Sequence, residues 1–388
     1  MLQNKIVCFV GLCGAGMAPL AMYLSERGVI VYGWDDFPDP SVKDLLISKR
    51  VIFLPSKILP EHCDAVVISS AIHVNVDEIC KAATALNVPI WKRGEYLAHI
   101  TSDRKLIAIV GSHGKTSVCA NMAELAIKNH MHIDYVIGGF FKEDKYPPAK
   151  YFTDSEWVIA EVDESDCTME AFSPQITIAL NYDDDHIANY HGSDGLKAAF
   201  SRFFCRTKEK LFLTSDDETF PMLLNETKAQ IEILEDLPAT NFALRNQEIA
   251  KRAFVDIFGK NVFVDCDFDG AKRRNDLLCQ SDNIVFVHDY AHHPTEVGAL
   301  LKYARSKYYD YKITVVFQPH RVSRTQQYYK EFAEILQNFD SIILVDIYRA
   351  FEERLSEVSS TLIFDRINNP DKILVNDLKN LGDVLGNY

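Results

Sequence analysis

The stretch Gly111-Ser112-His113-Gly114-Lys115-Thr116-Ser117 carries the residue types that hold a polyphosphate. Two glycines let a backbone curl until its N–H groups point at one anion, and a helix starting there adds the positive end of its dipole. Lys115 offers a point charge for the outer phosphates, and Thr116 offers a hydroxyl for magnesium. The common phosphate loop has a Gly five places before its second Gly. Here that place is Ile109, so the loop is shorter. A lone Gly-Lys-Thr also occurs by chance at helix starts.

A magnesium site needs further oxygen ligands. Glu161-Val162-Asp163-Glu164-Ser165-Asp166 closes one apolar run, and Asn181-Tyr182-Asp183-Asp184-Asp185-His186 closes the next. In an open parallel sheet, chemistry gathers at the carboxyl ends of the strands. Both clusters are therefore candidate metal-holding edges, with two solvated acidic loops as the plain alternative. Arg321 and Arg324 stand three apart at an expected helix start and can share a face. A guanidinium fork suits a carboxylate, and a basic surface turn is the ordinary reading. His292-His293 is a poor zinc pair, because adjacent residues rarely aim at one ion and no third ligand is near in sequence. A helix beginning around Pro294, with Glu296 in its first turn, is the expectation there. Gly11, Gly14 and Gly16 form G-x-x-G-x-G after an apolar run. That fits a nucleotide-binding turn or tight strand–helix packing without a ligand. Asp35, ending the second expected strand, could hold a ribose in a nicotinamide enzyme.

The elements that must position these residues follow a β-α-β rhythm, the signature of a parallel sheet. Apolar runs at 5–10, in "VIVYG", "DAVVISS" and "VPIW" read as strands, with a helix over 16–28 closed by Gly28. A polar stretch, 99–105, reads as a linker. A second unit opens with the strand 106–110, the phosphate loop and a helix, and continues through strands at 157–162, 175–180 and 210–214. The weakly patterned segment near 218–242 reads as a second linker. A third unit holds the strands "NIVFVHD", "KITVVFQ", "SIILVDI" and "KILVND".

With 388 residues the chain is too long for one ordinary core. Apolar residues make up 47% and charged residues 25%, as in a soluble globular protein. A formal net charge of −14 argues against non-specific nucleic-acid or membrane binding, so anionic substrates need local cations to receive them. The nine cysteines are odd in number and form no C-x-x-C pair, which excludes a disulfide framework and suggests reduced thiols in a cytoplasmic protein. No apolar run is long enough to span a membrane. The opening "MLQNKIVCFVGLCGAGMAPLA" has some features of a signal peptide, but a buried strand, a Gly-rich turn and a helix describe it better.

Taken together, "GLCGAGMAPLA", "SSAI", "GSHGKTS", "AEVDESD", "NYDDDH", "DYAHHPTEV" and "FQPHRVSRT" resemble the Mur ligase family, the ATP-dependent amide-forming enzymes of peptidoglycan synthesis. The resemblance covers nearly the whole chain, and the last two stretches are the most specific. It implies three consecutive α/β domains. These are a Rossmann-like UDP-sugar-binding domain over 1–102, a P-loop ATPase-like ATP-binding domain over 103–240, and a Rossmann-like amino-acid-binding domain over 241–388. The implied reaction joins L-alanine to UDP-N-acetylmuramate through an acyl phosphate, with ATP and Mg²⁺ or Mn²⁺ as cofactors. No nucleic acid or membrane partner is implied, and the state is monomer or homodimer.

By position, Gly111 to Ser117, Asn246, Arg274 and Asp289 resemble the family's ATP residues, and Thr116, Glu161 and His186 its metal residues. Gly11, Gly14, Gly16, Met17, Asp35, Ser69, Ser70 and Arg93 resemble its UDP-sugar pocket. Tyr290, His292, Arg321 and Arg324 resemble its amino-acid pocket. The implied catalytic set is Lys115, Glu161, His186, His292, Arg321 and Arg324. The family's G-x-H-N has its counterpart in "ALRNQ", with Arg245 in place of His; Asn275 replaces a usual Phe after Arg273–Arg274. The central domain is expected to lack strands found in typical relatives, and a Gly-rich final element that the resemblance leads one to expect does not follow "VLGNY" in this sequence. A binding protein without turnover, a ligase recycling murein tripeptide and a nicotinamide oxidoreductase stand as alternatives. The last leaves residues 111–116 without a purpose.

Overall fold

The computed structural model describes residues 3–238, 241–281, 283–350, 352–353 and 355–386. The first sheet is five-stranded and wholly parallel, in the order β3-β2-β1-β4-β5. Its strands are β1 (Ile6–Val10), β2 (Ile30–Trp34), β3 (Ile52–Phe53), β4 (Ala65–Ile68) and β5 (Ile90–Lys92). The strand order reverses between β1 and β4, and a doubly wound sheet opens its ligand crevice outside the strand ends at such a point. Gly11–Gly16 follow β1 there, and Ser69–Ser70 follow β4.

The second sheet comprises β6 (Lys105–Val110), β7 (Asp134–Val136), β8 (Ala149–Lys150), β9 (Trp157–Glu161), β10 (Ile176–Ala179), β11 (Lys210–Thr214) and β12 (Gln230–Leu234). Its order is β12-β11-β10-β6-β9-β7-β8, parallel except for the β7–β8 pair. The switch point lies at β6, flanked by β9 and β10. The phosphate loop and the two acidic clusters therefore leave three neighbouring strands at one sheet end. β6 is buried from Leu106 to Val110, as its unbroken apolar run requires of a central strand covered on both faces. The helix Lys115–Lys128 owes its stability to strong helix formers such as Ala120, Met122, Ala123 and Leu125, nearly all buried.

Two expected linkers are corrected. Residues 99–101 finish the helix Arg93–Thr101, and β6 already begins at Lys105. The segment 218–242 is not a linker throughout, because β12 adds a parallel edge strand to β11. Its side chains are mostly exposed, Ile231 and Ile233 included, and Leu234 alone is buried, as at the outer edge of a sheet. "NIVFVHD" also differs from expectation. It supplies β14 (Val285–His288), which pairs antiparallel with β13 (Asp276–Gln280) in a two-stranded hairpin. The remaining sheet is β15 (Thr314–Phe317), β16 (Ser341–Val345) and β17 (Lys372–Val375), parallel and in that order.

The chain divides into two compact units, 1–237 with 243–288, and 238–242 with 289–388. Within the first, one hydrophobic cluster runs through both large sheets, from Val7, Phe9 and Tyr23 to Leu106, Val158 and Phe203. Tyr23 Oη donates to Asp134 Oδ2 at 2.8 Å across that seam. The second unit has its own cluster around Phe317, Phe332, Leu336 and Leu344. Among the described residues no helix is long and apolar enough to cross a membrane. The α/β class read from the sequence matches what is observed.

Candidate active site

The phosphate loop is built on the backbone of β6 and held by the loop after β10. Ser112 N donates to Asn181 O at 3.0 Å, and His113 N donates to Asn181 Oδ1 at 2.8 Å. Ser112 Oγ accepts from Asp183 N at 2.8 Å, and His113 Nε2 lies 2.9 Å from Asp183 Oδ2. Asp183 is therefore a tie for the loop. Gly114 turns the chain into the helix with φ +87°, where a side chain would be strained. It also faces Asn246, whose amide nitrogen lies 3.0 Å from where a Cβ would stand. Asn246 is buried, and its Oδ1 has no hydrogen-bond partner among the described residues.

Lys115 is the first helical residue, with only 9% of its surface exposed. Its ammonium folds back onto its own loop, donating to Gly111 O at 2.7 Å and Ser112 O at 3.3 Å. It also donates to both oxygens of Glu164, at 3.0 and 2.8 Å. Burial disfavours the charged lysine, but Glu164, Asp163 and Glu161 around it outweigh that and raise its pKa. Burial likewise pushes the Glu164 carboxyl from 4.5 up to about 7, with Asp163 adding to the rise and Lys115 opposing it. Asp163 behaves differently. Burial works against its carboxylate, yet Lys115, Arg93 and His186 pull its pKa below the usual range.

Thr116 Oγ1 donates to Glu161 Oε2 at 2.8 Å. A hydroxyl and a carboxylate meeting in this way form the hard oxygen set that suits magnesium, so these residues fit such an ion. Gly138, just after β7, makes room for them. A Cβ on it would stand 2.1 Å from Glu161 Oε2. His186 has left-handed backbone, and its Nε2 lies 3.4 Å from Asp185 Oδ2. Lys115, Glu161 and His186, far apart in sequence, thus share one cluster of interacting charges centred on Asp163 and Glu164.

The glycine turn after β1 is laced in the same manner. Gly11 N donates to Trp34 O at 2.9 Å, and Cys13 N donates to Asp35 Oδ2 at 2.8 Å. Phe37 N donates to Asp35 Oδ1 at 3.0 Å, so the carboxylate ties the glycine turn to the loop after β2. Met17 begins the buried helix, and Ser69 packs on Gly11 while Ser70 is exposed. Arg93 reaches from the first sheet to the second. Its Nε lies 3.2 Å from where a Cβ on Gly16 would stand, and its Nη2 lies 3.5 Å from Asp163 Oδ2.

Arg245 is buried and aims its fork at Asp216, at 2.7 and 2.8 Å, with Leu180 O and Thr214 Oγ1 beside it at 3.1 Å. The segment carrying Arg274 is anchored within the same unit. Lys142 pairs with Asp276 at 3.1 Å, and Glu124, buried in mid-helix, accepts from Asp269 N at 3.2 Å.

In the second unit Asp289 Oδ1 accepts from Ala291 N at 2.7 Å, and His292 Nδ1 lies 2.9 Å from Tyr290 O. The rings of Tyr290 and His292 are 5.0 Å apart. The helix begins at Pro294 as expected, capped by His293, whose side chain accepts from Thr295 N. Arg321 is the residue before the helix Val322–Leu336, with φ +74°, and its Nε is buried without a hydrogen-bond partner among the described residues. Arg324, buried, follows in the first turn. The sequence did not single out Gly138, Asp163 or Glu164 as site residues. Glu164 and Asp163 belong to the acidic cluster after β9, and Gly138 to a Gly-Gly pair that carries no chemistry of its own.

Two family models match the chain. One, described as the Mur ligase family catalytic domain, matches residues 6–105. The other, described as the Mur ligase glutamate ligase domain, matches 273–382. A UDP-N-acetylmuramate–L-alanine ligase of Desulforamulus reducens is 30% identical over 100% of this chain and 93% of its own length. Its counterpart in Flavobacterium johnsoniae is 29% identical over 96% and 90%. A crystal structure of UDP-N-acetylmuramate–alanine ligase from Thermotoga maritima superposes with a TM-score of 0.80, covering 98% of this chain and 93% of that one at 24% identity.

Proposed function

The chain belongs to the Mur ligase family, and from that premise we propose that it joins L-alanine to the lactyl carboxylate of UDP-N-acetylmuramate with ATP, for peptidoglycan precursor synthesis. It acts in the cytoplasm as a monomer or homodimer. What supports the reading most is the gathering of Lys115, Thr116, Glu161 and His186 with the glycine loop at the switch point of the second sheet.

A free carboxylate is a poor acyl donor. Its oxygen attacks the γ-phosphorus, ADP leaves, and an acyl phosphate results. The amine of alanine then forms the C–N bond, phosphate leaves with the C–O electron pair, and the amine proton goes to water. The first step brings two anions together, so the barrier depends on prearranged positive charge. Lys115 and the loop of residues 111–117 meet the outer phosphates, and Asn246, Arg274 and Asp289 serve the nucleotide. Thr116 and Glu161 would hold magnesium or manganese, with His186 for a second ion, and such ions supply the remaining charge neutralisation. Gly11, Gly14, Gly16, Met17, Asp35, Ser69, Ser70 and Arg93 receive the UDP-sugar, with Asp35 acting through the turn it fixes. Arg321 and Arg324 hold the alanine carboxylate, and Tyr290 and His292 line its pocket. Fixing the amine in this way lends the second step its positional advantage.

The test is phosphate release from ATP. It should require UDP-N-acetylmuramate and L-alanine together. Release that ignores either substrate, or none with both, would sink the proposal.

A further inference from the structure

We propose that the Glu164 carboxylate is a built-in counter-anion that holds Lys115 and must leave it before a triphosphate can bind. The inference deepens the ATP-site reading and rests on it.

The Lys115 ammonium has three N–H donors. Its hydrogen bonds run to Gly111 O, Ser112 O and the two oxygens of Glu164, which leaves no donor for a phosphate. Glu164, in turn, is 1% exposed, and among the described residues its side-chain hydrogen bonds to another side chain go to Lys115. Two charges removed from water in this way need each other, because leaving either unpaired is costly. A γ-phosphate arriving at Lys115 meets a carboxylate at less than 3 Å from its intended partner. The two anions compete for one cation, and both cannot stay.

The loop is made so that the carboxylate can move without the backbone following. Tyr190 Oη donates to Glu164 O at 2.6 Å. Ser165 N and Ser165 Oγ both donate to Asp163, at 3.0 and 2.8 Å. These bonds hold the main chain on either side and do not involve the Glu164 carboxylate. Rotation about its side-chain bonds therefore releases Lys115 and leaves the turn in place. The metal pair Thr116–Glu161 is separate, since Thr116 donates to Glu161 and not to Glu164. Glu164 thus acts as a positioning residue that sets nucleotide affinity, distinct from the residues that meet the phosphates.

The experiment compares wild type, Glu164→Gln and Glu164→Asp, at about pH 8 so that the Glu164 carboxyl is ionised, by calorimetric titration with a non-hydrolysable ATP analogue and, separately, with adenosine. The glutamine variant keeps the shape and removes the competing charge, so it should bind the analogue roughly tenfold tighter, the scale of one charge-assisted hydrogen bond. The aspartate variant keeps the charge and should stay much nearer wild type. Adenosine, which brings nothing to Lys115, should bind all three alike. Equal or weaker analogue binding by folded Glu164→Gln overturns the inference, as does an equal gain for adenosine, which would mark a merely structural change. If wild type binds the analogue, only the counter-anion role is then lost. If no variant binds it, the ATP-site reading falls and takes the inference with it.

Discussion

Gly138 has no side chain, and the Glu161 carboxylate fills the space one would need. The atoms that a Cβ would strike are the far end of a flexible side chain, so the fold can yield while the site cannot. Gly138→Ala should melt close to wild type yet lose about a hundredfold in kcat/KM, the scale on which small misplacements of reacting groups are felt. Assay and thermal melt together check this; full activity would show that Glu161 tolerates displacement. Glu164 makes a second prediction. Its carboxyl titrates near 7 when folded and near 4.5 otherwise, so between those values the folded chain holds a proton that the unfolded chain has lost. Stability from this group is complete below about pH 4.5 and is lost as pH rises toward 7. Urea unfolding at a series of pH values should therefore show a steeper fall across that window for wild type than for Glu164→Gln. Parallel curves would contradict it. Lys115, Thr116 and Glu161 were legible in the sequence, because their types are chemically distinctive and each follows an apolar strand. Gly138 and the Lys115–Glu164 pair were not, since their meaning lies in what stands opposite them across the sheet end.

The elements show a similar division. β1, β6, β9, β10 and β16 are built on short apolar runs, and central parallel strands announce themselves that way. β12 escaped because an edge strand needs only one covered face, and "QIEIL" exposes most of its residues. β14 is legible as a strand, but its partner is not, because an apolar run does not name its neighbour. The seam between the two large sheets was also invisible in the sequence. Asp134 is fully buried there, and burial raises its carboxyl pKa against the opposing pull of Phe152 N, Tyr23 and Arg104. Tyr23→Phe removes the donor at 2.8 Å and leaves Asp134 Oδ2 with Arg104 Nε at 3.3 Å. The expected loss is about 1–3 kcal/mol, the cost of an under-satisfied buried acceptor. Denaturant unfolding reads it, and kcat/KM should stay at the wild-type level because Tyr23 is not among the residues assigned to the substrates. A variant as stable as wild type would show that the seam does not depend on this bond.

At the scale of the molecule, the first unit carries two proposed ligand sites on one continuous core, while the second unit has a core of its own. Cooperative stability follows shared cores, because buried surface common to two sheets is lost from both when either opens. A ligand bound by the first sheet alone should then stabilise the second sheet as well. UDP-N-acetylmuramate at about a hundred times its dissociation constant adds roughly 2.7 kcal/mol to whatever unfolds with its site. Hydrogen exchange under conditions where global opening dominates should show β6, β9 and β10 slowed along with β1 and β4, although none of the first three is assigned to the sugar nucleotide. β15, β16 and β17 should exchange as before. Protection confined to residues 6–101 would mean that the two large sheets unfold separately despite the common cluster. Protection spreading equally to residues 314–375 would mean that the two units unfold as one.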